Sequence, residues 1–246
     1  MEAITVMKRY EMKYLMDKKQ TAFLKEHLKG HMHPDAYGMT TIASLYYDTP
    51  DARLVRASME KPPYKEKLRL RSYGAATESS PVYLELKRKA DGIVYKRRAE
   101  ATLPEVNSFM KGADSLKGDP QIDKELAYFR DFYHNLEPAC LIMYDRVAYC
   151  EEEGDLRLTI DARPRYRTDD LSLTGSLEGE PLLAEGWSIL EIKVQGAMPR
   201  WLSALLSQAE IYKTSFSKYG EAYRLEAMKK QNKTIVMAKT KKFGAA

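Results

Sequence analysis

Polar and apolar residues alternate with period two in six separate stretches of this chain, the pattern of extended strands whose successive side chains point to opposite faces. In 65–73, Lys67, Arg69 and Arg71 share one face while Leu68 and Leu70 share the other. In 82–90, Glu85 and Lys87 oppose Leu84, Leu86 and Arg88, and in 93–101 Lys96, Arg98 and Glu100 fall together. Segment 155–163 sets Arg157, Thr159 and Asp161 against Leu156, Leu158 and Ile160. Segment 187–195 sets Glu191 and Lys193 against Leu190, Ile192 and Val194. Near the start, Arg9, Glu11 and Lys13 oppose Tyr10, Met12 and Tyr14.

The remaining text fills in the elements between. A strand is predicted over 4–14, a helix capped by Asp17 and running to about Gly30, a strand over 40–48, and a short helix from Asp51 to about Lys61. Asp91-Gly92 is a hairpin turn between two strands, which makes antiparallel pairing the natural consequence. Helical text follows Pro104 and fills 121–135, strands return at 139–150, 155–163 and 187–195, and Pro199 opens a further helix. A last helix starts at Tyr219, while 169–186 reads as a loop or frayed hairpin. Neither a βαβ rhythm nor an internal repeat is present, so one domain over 1–228 with a basic tail over 229–246 is the economical division.

Ordinarily such charged faces are solvated and the apolar faces form the core. Here the charged faces are dominated by Arg and Lys, and several helices are available to cover the apolar faces from outside. That combination predicts an α+β fold in which an antiparallel β-barrel of about eight strands turns its charged face inward as a tunnel, with helices packed outside. Confining so many cations is too costly without water and a polyanion to share the cavity. The candidate bases are Arg9, Lys13, Arg69, Arg71, Lys87, Lys96, Arg98, Arg146, Arg157 and Lys193, and the candidate acids are Glu11, Glu85, Asp161 and Glu191. Ten bases against four acids leave about six positive charges, suited to a chain of phosphates. The acids suit Mg²⁺ or Mn²⁺ bound to phosphate, which takes one or two carboxylates and water.

Bulk properties narrow the class only a little. The 246 residues, 44% hydrophobic and 30% charged with a formal charge of +5, allow one large domain and an anionic ligand. Residues 1–15 carry charge throughout, so no signal peptide is expected, and no run approaches the length of a membrane span. Cys140 and Cys150 lie in one candidate strand, where ten residues at about 3.3 Å each hold them roughly 33 Å apart. They are expected to be free thiols, consistent with a cytoplasmic location, and no Cys/His spacing resembles a zinc site.

Read in order, Arg9-Tyr10-Glu11-Met12-Lys13, Ser44 to Thr49, Leu68 to Gly74 and Leu84-Glu85-Leu86-Lys87 resemble the VTC-type polyphosphate polymerases of the triphosphate tunnel metalloenzyme (CYTH-like) superfamily. Gly92 to Arg98, Tyr144 to Tyr149, Arg157 to Asp161, Leu190 to Lys193 and Phe216-Ser217-Lys218-Tyr219 continue the resemblance over almost the whole chain. It implies transfer of the γ-phosphate of ATP to a growing inorganic polyphosphate, with a divalent cation as cofactor. By position, Lys13, Arg69, Arg71, Lys87, Lys96, Arg98, Arg146, Arg157 and Lys218 would contact phosphates. Glu191 would hold the metal, and Lys218, with Arg146, would sit at the reacting phosphate. A triphosphatase acting on tripolyphosphate or nucleoside triphosphates, and a non-catalytic polyphosphate sensor, are the alternatives. The resemblance leaves room for a membrane-protein partner that holds the chain at the inner face of a membrane, and no specific nucleic acid is expected.

Two positions depart from the family pattern. Hydrolase and cyclase branches begin with Glu-x-Glu-x-Lys, whereas the first Glu is here Arg9. The family often has a base where Ser215 stands, and the nearest one here is Lys213.

Overall fold

The computed structural model describes residues 10–243 apart from Gly92, Asp114, Lys117 and Glu153, with side chains as far as Asn232. Arg9 therefore lies outside the described residues. The alternating stretches become the long strands β1 (Tyr10–Met16), β3 (Tyr64–Tyr73), β4 (Val82–Ala90), β5 (Ile93–Ala101), β7 (Arg157–Arg167) and β9 (Ser188–Val194). With β2 (His33–Asp48) and β6 (Glu137–Cys150) they make eight long strands, and β8 (Glu180–Pro181) and β10 (Lys213–Thr214) add two residues each. The helices are α1 (Lys18–Leu28), α2 (Arg53–Met59), α3 (Leu103–Met110), α4 (Pro120–Tyr133), α5 (Arg200–Gln208) and α6 (Lys218–Phe243). None of them is long and apolar enough to cross a membrane, among the described residues.

Local chemistry sets several boundaries. Asp17 accepts from the Gln20 N–H at 2.8 Å and Gln20 accepts from the Asp17 N–H at 3.0 Å, a capping box that starts α1. Strand β2 begins seven residues before the predicted strand, because pairing of His33 and Pro34 with the far end of β6 holds exposed text in extended form across a register shift. Such pairing is a tertiary effect that local pattern does not carry.

All strand pairs are antiparallel, in the order β10-β1-β9-β7-β6-β2-β3-β4-β5, with β8 added beside β7. The ladder is not closed by hydrogen bonds, since β5 and β10 end it on opposite sides. Yet Lys87 of β4 donates to Glu11 of β1 at 3.0 Å, although five strands separate β4 from β1 in that order. Only a sheet rolled upon itself brings those two together, so the molecule is an α+β tunnel bridged by side chains.

The apolar faces point outward and are covered in two places. Leu68, Leu70, Leu84 and Leu86 pack with Val106 and Phe109 of α3 and Leu126 and Phe129 of α4. Tyr14, Leu158, Ile160, Leu190 and Ile192 pack with Leu24 and Leu28 of α1 and Leu202 and Leu206 of α5. Helix α6 is placed differently. Its Tyr219 and Ala222 join Ile42, Tyr46, Ile142 and Tyr144, which lie on the strand face shared by the tunnel charges, so α6 packs into the concave side.

Buried Asp48 holds this arrangement at the end of β2. One carboxylate oxygen accepts from the Thr49 and Leu54 N–H groups at 2.9 and 2.8 Å, and the other from the Val55 N–H at 3.0 Å and the Tyr219 hydroxyl at 2.8 Å. Asp48→Ala leaves buried donors unpaired in α2 and α6 together, and a loss of about 2–4 kcal/mol in urea denaturation is expected.

Candidate functional site

Strand register arranges the tunnel charges in rows, because residues directly opposite one another share a face. Lys67, Lys87 and Lys96 face one another across β3, β4 and β5, and Arg69, Glu85 and Arg98 form the next row. On the other wall, Glu11, Lys193 and Arg157 align across β1, β9 and β7, followed by Lys13, Glu191 and Thr159. Arg146 of β6 opposes Asp161 of β7.

The carboxylates occupy three separate surroundings. Glu85, 1% exposed, lies 2.8 Å from Arg69, 2.7 Å from Lys96, 2.6 Å from Arg98 and 3.8 Å from Arg71. Burial alone would raise its pKa, but Arg69, Arg71 and Lys96 pull it well below the usual carboxylate range. Asp161 is fully buried, accepts two bonds from Arg146 at 2.6 and 2.8 Å, and meets Lys218 at 2.5 Å. The same Lys218 ammonium lies 4.2 Å from the centre of the Tyr144 ring.

Glu11 and Glu191 form the third. Lys193 reaches Glu191 at 2.8 Å, while Lys13 lies 3.6 Å from Glu11 and 4.0 Å from Glu191. For Glu191, burial pushes the pKa up, but Lys193, Lys13, Arg146 and Lys87 hold it well below its ordinary value. Burial and Glu191 both oppose ionisation of Glu11, and Lys87, Lys13 and Lys193 outweigh them. Among the described residues, no three His, Cys, Asp or Glu side chains gather as a metal cluster. The fit for a divalent ion therefore rests on Glu191 with Glu11 beside it and on Thr159, opposite Glu191, whose buried hydroxyl has no hydrogen-bond partner in the protein. Two carboxylates and a hydroxyl suit Mg²⁺ or Mn²⁺, which fills its remaining positions with water and phosphate oxygens.

Other buried groups point to an oxyanion. Ser44 Oγ and Arg71 Nε, directly opposite one another, also have no hydrogen-bond partner in the protein. Arg69 donates to the Tyr46 hydroxyl at 3.2 Å and Arg71 to the Tyr144 hydroxyl at 3.4 Å, leaving the phenol protons for another acceptor. Tyr46 is stacked on Tyr219 with ring centres 4.7 Å apart, which occupies its face in packing against α6.

Of the residues proposed from sequence, Arg157 is exposed at the start of β7, level with Lys193. Lys213 pairs with Tyr14, whose side chain belongs to the outer core, so Lys213 lies on the outer face and does not supply a tunnel base in place of Ser215. Sequence reasoning missed Lys67 as a site residue, although its parity with Arg69 was visible. It did not put forward Ser44 or Thr159 either, neutral groups that register and burial pick out. Both cysteines are free, with Cys140 buried.

With that geometry in view, comparison with known proteins is informative. Three solved structures are among those to which the chain is similar. A candidate adenylate cyclase from Bacillus halodurans shares 16% identity at a TM-score of 0.51, over 86% of this chain and 96% of that one. A candidate adenylate cyclase from Vibrio parahaemolyticus gives 13% and 0.47, over 87% and 97%. A candidate adenylyl cyclase from Hippeastrum, described as having a dominant triphosphatase activity, gives 17% and 0.48, over 85% and 92%. The first of these supports the tunnel fold. None of the curated proteins compared with the chain matches it significantly in sequence. The family model of the VTC domain matches residues 8–226, which takes in every long strand and the start of α6, and the chain belongs to the VTC domain family.

Proposed function

We propose that this protein is a metal-dependent polyphosphate polymerase, transferring the γ-phosphate of ATP to the end of an inorganic polyphosphate chain in the tunnel. The observation that carries the reading is the inward basic lining that ends at Lys218 and Arg146. Phosphoryl transfer needs positioning and charge neutralisation more than covalent chemistry. A terminal oxygen of the acceptor chain would attack the γ-phosphorus, and the bond to the β–γ bridging oxygen would break with ADP leaving on that oxygen. Arg69, Arg71, Lys96 and Arg98 would hold phosphates by exchanging part of their contact with Glu85 for phosphate oxygens. Arg146 and Lys218, kept in place by Asp161, would stabilise charge on the transferring group. Glu191 and Glu11, with Thr159, would hold a divalent cation, Mn²⁺ or Mg²⁺, which supplies neutralisation of phosphate charge when bound.

The outer-face position of Lys213 favours a second reading. With Ser215 in place of a base, the grip on an acceptor chain is weaker, and water would replace it in a triphosphatase. Incubating the purified protein with ATP and Mn²⁺ or Mg²⁺ tests both. Long-chain polyphosphate is the expected product. Phosphate release without chain growth selects the triphosphatase, and neither product from folded protein removes both readings.

A further inference from the structure

Lys67 differs from every other lysine in these rows. Lys13, Lys87, Lys96, Lys193 and Lys218 each lie within 4.0 Å of a carboxylate, but among the described residues no carboxylate lies that close to Lys67. Its ammonium nitrogen meets Ser217 Oγ at 3.0 Å. That oxygen also accepts from the Gly220 N–H at 3.2 Å, so Ser217 caps the start of α6 immediately before Lys218. A hydroxyl can accept from a charged lysine and donate to a neutral one, so this contact survives in either protonation state.

The charged groups that bear most strongly on Lys67 are cations, although Glu11 lies beside two of them, Lys13 and Lys87. These cations are Lys13 on β1, Lys87 on β4, and Lys65 and Arg69 on its own strand. Burial, then Lys13, Lys65, Lys87 and Arg69, push its pKa down to about 7. Lys65 is lowered as well, by burial and then by Lys89. Nearby Lys96 is brought down to about 8 by burial, against the pull of Glu85.

We propose that Lys67 is an unassigned phosphate-binding residue that takes a proton from solvent as a polyphosphate chain arrives, making anion binding at this end of the tunnel proton-linked. A chain of phosphates supplies the opposite charge that no described carboxylate brings within 4.0 Å of Lys67, and it offsets the neighbouring cations at the same time. The sign follows from linkage. The ligand raises the Lys67 pKa, so binding takes up a proton above about pH 7 and takes up none through this group well below it. This inference rests on the proposed function only in needing a polyphosphate ligand, since it needs no metal and no turnover.

The test is calorimetric titration of the metal-free protein with inorganic tripolyphosphate, in buffers of different ionisation enthalpy, for the wild type, Lys67→Arg and Lys67→Met. Arginine keeps a fixed charge, so subtraction removes the protons of the ligand, Lys65 and Lys96. At pH 8.5 the wild type should take up about 0.8–1 more proton than Lys67→Arg, and at pH 6 the difference should vanish. Between those values the affinity of the wild type should fall relative to Lys67→Arg by up to about tenfold per pH unit. Lys67→Met should also lose the extra proton, and without ligand its melting temperature at pH 7 should rise, because a crowded cation has been removed.

Equal proton uptake at pH 8.5 by wild type and either folded variant, with tripolyphosphate bound, overturns the proposal. Failure of all three folded proteins to bind tripolyphosphate overturns it together with the proposed function. Proton-linked binding without polymer formation keeps this inference and removes the polymerase reading.

Discussion

Glu85→Gln is expected to destabilise the ligand-free protein by about 3–5 kcal/mol, the usual cost of removing one partner from a buried ion pair. The effect is large because Glu85 neutralises Arg69, Arg71, Lys96 and Arg98 together from a position 1% exposed. Urea denaturation measures it. Tripolyphosphate at about 100 times its dissociation constant should restore about 2.7 kcal/mol, since a bound anion takes over the neutralisation. The pH dependence has a defined sign. The folded pKa of Glu85 is depressed, so its contribution is complete above the ordinary pKa of 4.5 and is lost as the pH falls from there toward the folded value. Acid should therefore narrow the gap between wild type and variant. If Glu85 served instead as a metal ligand, the variant would keep its metal-free stability and lose metal-dependent stabilisation, an outcome that would remove the structural role argued for it.

Glu191→Gln should reduce turnover by about 10²–10³-fold with either Mn²⁺ or Mg²⁺, while tripolyphosphate still binds without metal. Glutamine preserves the shape of the side chain and removes the negative charge, which Lys13 and Lys193 now share. Relieved of that competition, those two lysines should bind the anion as tightly as before or more so. A variant that retains full metal-dependent turnover would show that Glu191 does not hold the ion. One that loses anion binding together with turnover would show that it organises the lysines instead. Comparing metal-free binding with turnover separates the two, and a metal titration followed by thermal shift gives a readout independent of activity.

How much of the site could be read beforehand depends on residue type. Charged residues announce themselves by parity, since Lys67, Arg69 and Arg71 on one strand and Glu85 and Lys87 on the next share faces wherever the strands end up. The resemblance to VTC-type proteins then singled out Glu191 and Lys218 from motifs that are each short. Ser44, Tyr46 and Thr159 carried no comparable signal, because a hydroxyl in a strand is as suited to ordinary packing as to an oxyanion. For Ser44 and Thr159 the significance comes from burial without a hydrogen-bond partner, and for Tyr46 from the Arg69 guanidinium that donates to its hydroxyl, both of which depend on how the strands come together. For Lys213, nearness along the chain to Ser215 left its role open, and the pairing with Tyr14 turns it outward.

The sequence by itself determined most of the long strands, their faces, and the excess of cations along them, because alternation and charge are local properties that survive any arrangement of the strands. Tertiary structure alone decided which acid neutralises which base and that, among the described residues, no carboxylate comes within 4.0 Å of Lys67. It took rolling of the sheet to bring Lys87 to Glu11, and packing of α6 inside the tunnel to bring Lys218 to Asp161 and Ser217 to Lys67. Coulomb energies and desolvation act through distances across the cavity, and those distances join residues such as Lys67 and Ser217, 150 positions apart in the chain.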